Sequence, residues 1–246
     1  MGKISYYKTN TQDKNSQNRS TNDRLLIVLL IVFIASSMFM FKSSITKAKN
    51  TTNLSSVISY PVQERLDNIT VEFKNINGVN AAVTKLAKYQ VAGRVVEEYD
   101  YTTGIASIVN ALSNTDYYND ISNKDVAIAY GPMVLSENNS RMNYYMSGSR
   151  RVLYSIKDWS IEQDVGSLEK IGQYITNNHL IASDSKVNEL IKKIDKDDFI
   201  QITGYLVRVE WKKGIYKYAI ESSLERGDTG SGACEVILVE DVKWIK

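Results

Sequence analysis

The chain has 246 residues, of which 43% are hydrophobic and 24% charged, a balance typical of a folded protein and not of a wholly disordered one. The formal net charge of +2 gives no electrostatic argument for nucleic-acid binding, which usually needs a clustered basic face. With one cysteine and one histidine, a single chain can form no intramolecular disulfide and no usual zinc site, so no metal and no other cofactor is predicted.

The chain begins with a polar segment and continues into an apolar one. Residues 1–24 are rich in Asn, Ser, Thr and Lys, which predicts a disordered cytoplasmic tail. Residues 25–41 read LLIVLLIVFIASSMFMF and carry no charge. At a rise of ~1.5 Å per residue this run spans roughly 26 Å, close to the ~30 Å hydrocarbon core of a bilayer. The run therefore predicts a transmembrane helix.

Two other interpretations of residues 25–41 fit less well. A buried core helix would normally show a polar face, and this run contains only Ser36 and Ser37 as polar residues. A cleaved signal peptide would have a shorter apolar region, followed promptly by a site of the Ala-x-Ala type. An uncleaved signal anchor is therefore the favoured interpretation.

The basic residues on the two sides of the apolar run predict its orientation. Five of them precede the run and three follow it closely: Lys3, Lys8, Lys14, Arg19, Arg24, then Lys42, Lys47, Lys49. Positive charge is retained on the cytoplasmic side, so a cytoplasmic N-terminus is expected. The sequence thus predicts a single-pass membrane protein, with residues 42–56 as a polar tether and residues 57–246 as an extracytoplasmic domain.

Within that domain, β-rich segments alternate with short helical patterns. Strands are predicted at 89–99, 125–131 and 150–156, and helices at 104–112 and 165–175. The segment SDSKVNELIKKI predicts a further helix with Asp184 as its N-cap.

The C-terminal third has the clearest strand pattern. Residues 198–211 and 215–222 predict a long hairpin with Gly214 in its turn, and residues 234–244 predict a last strand. Glycines inside two strands, Gly93 and Gly204, permit the sharp coiling of a small barrel. The predicted fold class is α+β: the transmembrane helix followed by a mainly antiparallel β domain, with an OB-like barrel and interposed helices as the favoured form.

Four blocks of the sequence resemble a family of uncharacterised bacterial proteins. They read NNHLIAS, DDFIQITGYLVRV, SSLERGDTGSGACEVILV and, upstream, DVAIAYGPM. The likeness extends over roughly residues 89–239. Ala182, Tyr130 and Asp197 stand where that family tends to have Pro, Trp and Gly. The resemblance implies a common architecture and no established activity.

The third block contains two short motifs that its context does not support. In aspartic proteases an Asp-Thr-Gly motif follows an apolar strand and pairs with a second aspartate, whereas Asp228 follows Glu225, Arg226 and Gly227 and has no second copy. The Arg226-Gly227-Asp228 tripeptide could be read by a cell-surface receptor, but an internal ion pair or an Asp-anchored turn explains it more simply. The glycine-rich loop is either a structural corner or a ligand site.

Cys234 and His179, the sole residues of their types, are the weak catalytic candidates, because an imidazole can activate a thiolate for nucleophilic attack. A buried cysteine and a hydrogen-bonded structural histidine are the simpler explanation. The candidates for binding a ligand are Arg226, Asp228, Glu235 and Asn178.

The sequence favours a binding or assembly module over an enzyme. Its predicted partners are the membrane and a protein of the cell envelope, and neither ligand nor oligomeric state is predicted. The alternative is an envelope hydrolase that uses the Cys234 and His179 pair.

Overall fold

A computed structural model describes residues 59–103, 117–147, 150–225 and 234–245. Its strands are β1 (Val62–Ile76), β2 (Val79–Asp100), β3 (Lys124–Ala129), β4 (Met142–Met146), β5 (Val152–Ile156), β6 (Ile175–Ala182), β7 (Phe199–Lys213), β8 (Tyr216–Glu221) and β9 (Glu235–Trp244). Its α-helices are α1 (Ser136–Asn139), α2 (Ile161–Asp164), α3 (Leu168–Gly172) and α4 (Ser185–Lys192). Two 3-10 turns cover Tyr117–Asp120 and Gly131–Val134.

Five of the strands form a closed barrel. Each of β2, β3, β6, β9 and β7 is hydrogen-bonded to the next in that order, and β7 pairs back with β2. Only the β6–β9 pair is parallel among these five. The 22-residue β2 makes closure possible, because its N-terminal part pairs with β1 and its C-terminal part with β3, while β7 lies along its other edge. β8 extends the sheet beyond β7, and β4 and β5 form a separate hairpin.

Successive side chains of a strand point to opposite faces, and those that point into the barrel are mainly apolar. Its buried cluster includes Val91, Val126, Ile128, Leu180, Ile202, Leu206, Ile237 and Val239, and α4 adds Val187 and Ile191. A second buried cluster lies on the other face of the same strands and includes Ile121, Ile181, Val209, Val236 and Leu238. Both faces of β6 and β9 are therefore covered.

Close strand contacts explain the glycines inside β2 and β7. A Cβ atom at Gly93 would collide with the carbonyl oxygen of Ala129 on β3, and one at Gly204 with that of Leu238 on β9. Both positions adjoin a register shift, between Val95 and Glu97 in one case and at Gly204 in the other. The missing side chains allow the strands to approach where the sheet coils most strongly.

The predicted fold class, an α+β domain behind a transmembrane helix, is wrong. Strands make up 56% of the described residues and helices 18%, so the fold is mainly β. The helices are short connections, and the longest, α4, has 8 residues. No helix within the described ranges has the length and apolar character to cross a membrane. The stretch predicted as that helix (25–41), the tail (1–24) and the tether (42–56) lie outside the described residues.

The local predictions had mixed outcomes. The β7–β8 hairpin with Gly214 at a positive φ of 61° is confirmed, and so is α4, whose Val187 N–H donates to Asp184 Oδ1 at 2.9 Å. The helix predicted over 165–175 is wrong, because only Leu168–Gly172 is helical there and β6 begins at Ile175. The helix predicted over 104–112 lies outside the described residues. β1, β4 and β6 were not predicted.

Candidate catalytic site

Three adjacent strands bring Asp125, His179 and Cys234 side by side on the outer face of the barrel. Asp125 on β3 lies directly opposite His179 on β6, and His179 is in register with Val236 on the parallel strand β9. Cys234 directly precedes β9, two residues before Val236, and its sulfur contacts Asn177, which shares a face of β6 with His179. The neighbouring residues Val126 and Leu180 point into the barrel core. The three chemically active side chains thus form one row across β3, β6 and β9.

Direct interactions connect this row. His179 Nδ1 lies 2.8 Å from Asp125 Oδ1, and the Cys234 thiol interacts with the His179 side chain. Because Nδ1 is directed at the carboxylate, the other ring nitrogen is not engaged by Asp125. This Asp–His–Cys order is the arrangement in which a carboxylate orients an imidazole and the imidazole activates a thiol.

Electrostatics favours the charged form of the Cys234–His179 pair. Burial opposes protonation of His179, but the charge and hydrogen bond of Asp125 outweigh it and raise the imidazole pKa to about 9. Burial likewise opposes ionisation of Cys234, but its interaction with the His179 side chain lowers the thiol pKa below its usual value. Each shift favours the charged form of one partner beside the other. Cys234 is partly exposed, whereas the His179 side chain is only 9% exposed.

Arg150 and Tyr101 hold the carboxylate of Asp125 in place. Arg150 donates from Nη2 to Oδ1 at 2.7 Å and from Nε to Oδ2 at 2.9 Å, and Tyr101 Oη donates to Oδ2 at 2.9 Å. The Arg150 guanidinium also lies 4.2 Å from the centre of the Tyr101 ring, a cation–π distance. Asp125 is fully buried, which opposes its ionisation, yet the positive charges of His179 and Arg150 lower its pKa.

The buried carboxylate of Asp125 contacts two basic side chains, Arg150 and His179. Ionisation of Cys234 would supply a second negative charge beside them. Arg150 Nη2 additionally donates to the carbonyl oxygen of Ser122 at 2.8 Å. Buried charges persist only when they are paired and hydrogen-bonded in this way.

Asn177, two residues before His179 on β6, adds a polar contact to the sulfur. Its Nδ2 donates to Cys234 Sγ at 3.2 Å and to the carbonyl oxygen of Arg150 at 3.0 Å. A hydrogen-bond donor at the sulfur favours the thiolate, so Asn177 also lowers the Cys234 pKa.

Two of the four residues predicted to bind a ligand, Asn178 and Glu235, lie away from the row of Asp125, His179 and Cys234. Asn178 alternates with His179, points to the other face, and donates from Nδ2 to the carbonyl oxygen of Val126 at 3.0 Å. Glu235 is in register with Asn178, is 5% exposed, and lies with Oε2 3.2 Å from Ser222 Oγ. Both residues are buried. Arg226 and Asp228 lie outside the described residues.

Asp125, Arg150 and Asn177 were not predicted as members of this site. One local signal existed for Asp125: it is an acidic residue in DVAIAYG, an otherwise apolar run predicted to be buried. A buried carboxylate needs a cationic or hydrogen-bonding partner, so its position alone indicated a polar site. Nothing local indicated that Arg150, from the β4–β5 connection, would be this partner.

Within the described residues, no group of three or more His, Cys, Asp or Glu side chains could hold a metal ion. Comparison with protein-family models, curated proteins and solved structures finds no match to this chain. The resemblance to an uncharacterised bacterial family therefore stays a prediction.

Proposed function

We propose that this protein is a cysteine-dependent acyl hydrolase in which Cys234 is the nucleophile, His179 the proton carrier and Asp125 the residue that orients the imidazole. The observation that carries this proposal is the row of these three side chains, in which Asp125 is hydrogen-bonded to His179 and Cys234 interacts with the same imidazole. It also revises the expectation from the sequence, which ranked a binding module first because the proximity of Cys234 and His179 was not visible there.

The first half of the proposed reaction forms an acyl-enzyme. The Cys234 thiolate attacks the carbonyl carbon of an ester, thioester or amide, a C–S bond forms, and an electron pair moves to the carbonyl oxygen. The tetrahedral intermediate then collapses, the bond to the leaving group breaks, and the leaving group takes the proton of the His179 imidazolium. A thioester on Cys234 and a neutral imidazole remain.

Hydrolysis restores the starting state. The neutral His179 removes a proton from water as the water oxygen attacks the thioester carbonyl, and collapse of this second intermediate breaks the C–S bond. The carboxylic acid leaves, and thiolate and imidazolium are regenerated. Asp125 supports both halves because its carboxylate fixes the ring through Nδ1 and stabilises the imidazolium.

The test is hydrolysis of p-nitrophenyl acetate by the full-length protein, followed through release of p-nitrophenol. We expect Cys234→Ala to abolish hydrolysis above the uncatalysed rate and His179→Gln to lower it by about 10²-fold or more, the usual contribution of a positioned acid–base group. Asn143→Ala, a change on the exposed face of β4, is the matched control and should leave the rate unchanged. Equal rates for wild type and Cys234→Ala would refute the proposal.

A binding or assembly role is the second candidate, and the outer strand β1 favours it. Ile69, Val71 and Phe73 alternate along β1 and are 62%, 55% and 88% exposed. A long sheet edge with an apolar row is a surface to which another strand can add. The two proposals differ in their need for the thiol: a binding role is retained in Cys234→Ala and is lost when Val71 and Phe73 are both changed to Lys.

A further inference from the structure

Asn177 is held so that its amide nitrogen, and not its oxygen, faces the sulfur. Both groups that its Nδ2 contacts are acceptors: Cys234 Sγ at 3.2 Å and the carbonyl oxygen of Arg150 at 3.0 Å. A carbonyl oxygen cannot donate, so the contact to Arg150 fixes which end of the carboxamide is the nitrogen. One N–H of Asn177 is therefore directed at the nucleophile.

The other end of the same carboxamide argues against a purely structural role. Asn177 is 8% exposed, and its Oδ1 is buried without a hydrogen-bond partner in the described part of the chain. A buried acceptor that makes no hydrogen bond costs folding free energy, and most buried polar atoms avoid this cost. A small apolar residue would remove the cost but would also lose the two hydrogen bonds donated by Nδ2, to the Arg150 carbonyl oxygen and to Cys234 Sγ.

We infer that Asn177 donates its Nδ2 hydrogen bond to the oxyanion of the tetrahedral intermediates. This inference rests on the proposed hydrolase function and deepens it. When the C–S bond forms, the sulfur loses its negative charge and the carbonyl oxygen, two bonds away, gains it. An N–H that lies 3.2 Å from the sulfur can follow the charge by a small rotation of the side chain. Hydrogen-bond donors aimed at the developing oxyanion lower the activation free energy of the reaction.

Two reactions of the Cys234 thiol distinguish donation by Asn177 to the oxyanion from stabilisation of the thiolate by Asn177 alone. Alkylation by iodoacetamide displaces iodide at a saturated carbon and forms no oxyanion, whereas acetylation by p-nitrophenyl acetate passes through one. Both are measured on the full-length protein as pre-steady-state rates, at a pH where the alkylation rate of each variant has reached its plateau. Under these conditions every variant presents a full thiolate.

We expect Asn177→Ala to lower the acetylation rate by about 10²–10³-fold, as loss of a single oxyanion donor does in other acyl-transfer enzymes, with the plateau alkylation rate lowered less than about threefold. Asn177→Asp keeps the size of the side chain, removes the donor, and should show the same split. Asn143→Ala is the control and should change neither rate. Plateau alkylation by a variant also reports that the fold around Cys234 is intact.

The inference is overturned if Asn177→Ala and Asn177→Asp lower both rates by the same factor, or change neither. In those cases Asn177 supports the thiolate or the fold alone. This outcome differs from failure of the proposed function, in which Cys234→Ala retains the wild-type rate of p-nitrophenyl acetate hydrolysis.

Discussion

Asp125 and His179 face each other across the antiparallel pair β3 and β6, and Asp125 Oδ1 lies 2.8 Å from His179 Nδ1. Direct cross-strand neighbours have their Cβ atoms about 5 Å apart, so the register of the two strands alone aims this carboxylate at this ring. The parallel pairing of β6 with β9 then places Cys234 beside the same ring. Two members of the row, Asp125 and His179, thus lie within paired strands, and Cys234 directly precedes the first residue of β9.

Asp125→Asn should separate the orienting role of the carboxylate from the size of the side chain. The amide keeps the shape and removes the negative charge that raises the pKa of His179. The imidazolium, which favours the thiolate, is then less populated, and we expect this loss to outweigh removal of the Asp125 charge, which by itself raises the thiol pKa. The rate of Cys234 alkylation at pH 7 should therefore fall. An unchanged alkylation rate in a folded variant would show that Asp125 does not act on the pair.

Stability should depend on pH through His179. Its pKa in the folded protein is raised to about 9, above the unfolded value of about 6.5, so its contribution to the free energy of unfolding is complete below pH ~6.5 and is lost as the pH rises through the folded pKa. The measurement is chemical denaturation from pH 6 to 10 in a Cys234→Ala background, where the thiol does not titrate. We expect stability to fall over this range.

The matched variant for this experiment carries Cys234→Ala together with His179→Gln. It lacks the titrating ring, so its loss of stability across the same pH range should be smaller. Parallel curves for the two proteins would contradict the raised pKa of His179.

Arg150 and Arg208 allow a comparison of a buried ion pair with a surface one. Arg150 forms a bidentate pair with the fully buried Asp125, whereas Arg208, whose side chain is 42% exposed, pairs with Glu210 and Glu221. Removing one partner of a buried pair leaves an uncompensated charge, so Arg150→Met should cost about 3–5 kcal/mol of unfolding free energy. Arg208→Met should cost about 1 kcal/mol or less. Similar losses in urea denaturation would contradict the buried network.

Local patterns predicted the elements whose signal is contained in their own residues. The β7–β8 hairpin and α4 fall in this class, because Gly214 and Asp184 mark a turn and a cap within a few residues of clear periodicity. The segment that became β6 was not predicted as a strand. It reads ITNNHLIA, and its polar half is buried because Asp125 and Arg150, distant in sequence, supply the partners.

The site depended still more on tertiary pairing. Cys234 and His179 were candidates because each is unique, but 55 positions separate them and only the parallel β6–β9 register brings them together. Parallel pairing joins residues through long connections, so no local pattern reports it. The α+β class is wrong for a related reason: the apolar spacing over 165–175 is typical of a longer helix, whereas the structure is helical only over Leu168–Gly172 and β6 begins at Ile175.

The most direct test of the central claim is mass spectrometry of the intact protein after rapid mixing with p-nitrophenyl acetate and acid quenching. The account predicts a transient increase by the mass of one acetyl group, located at Cys234 by peptide mapping, absent from Cys234→Ala and slower to form in His179→Gln. Acetylation spread over lysines with Cys234 unmodified, or equal labelling of wild type and Cys234→Ala, would contradict it.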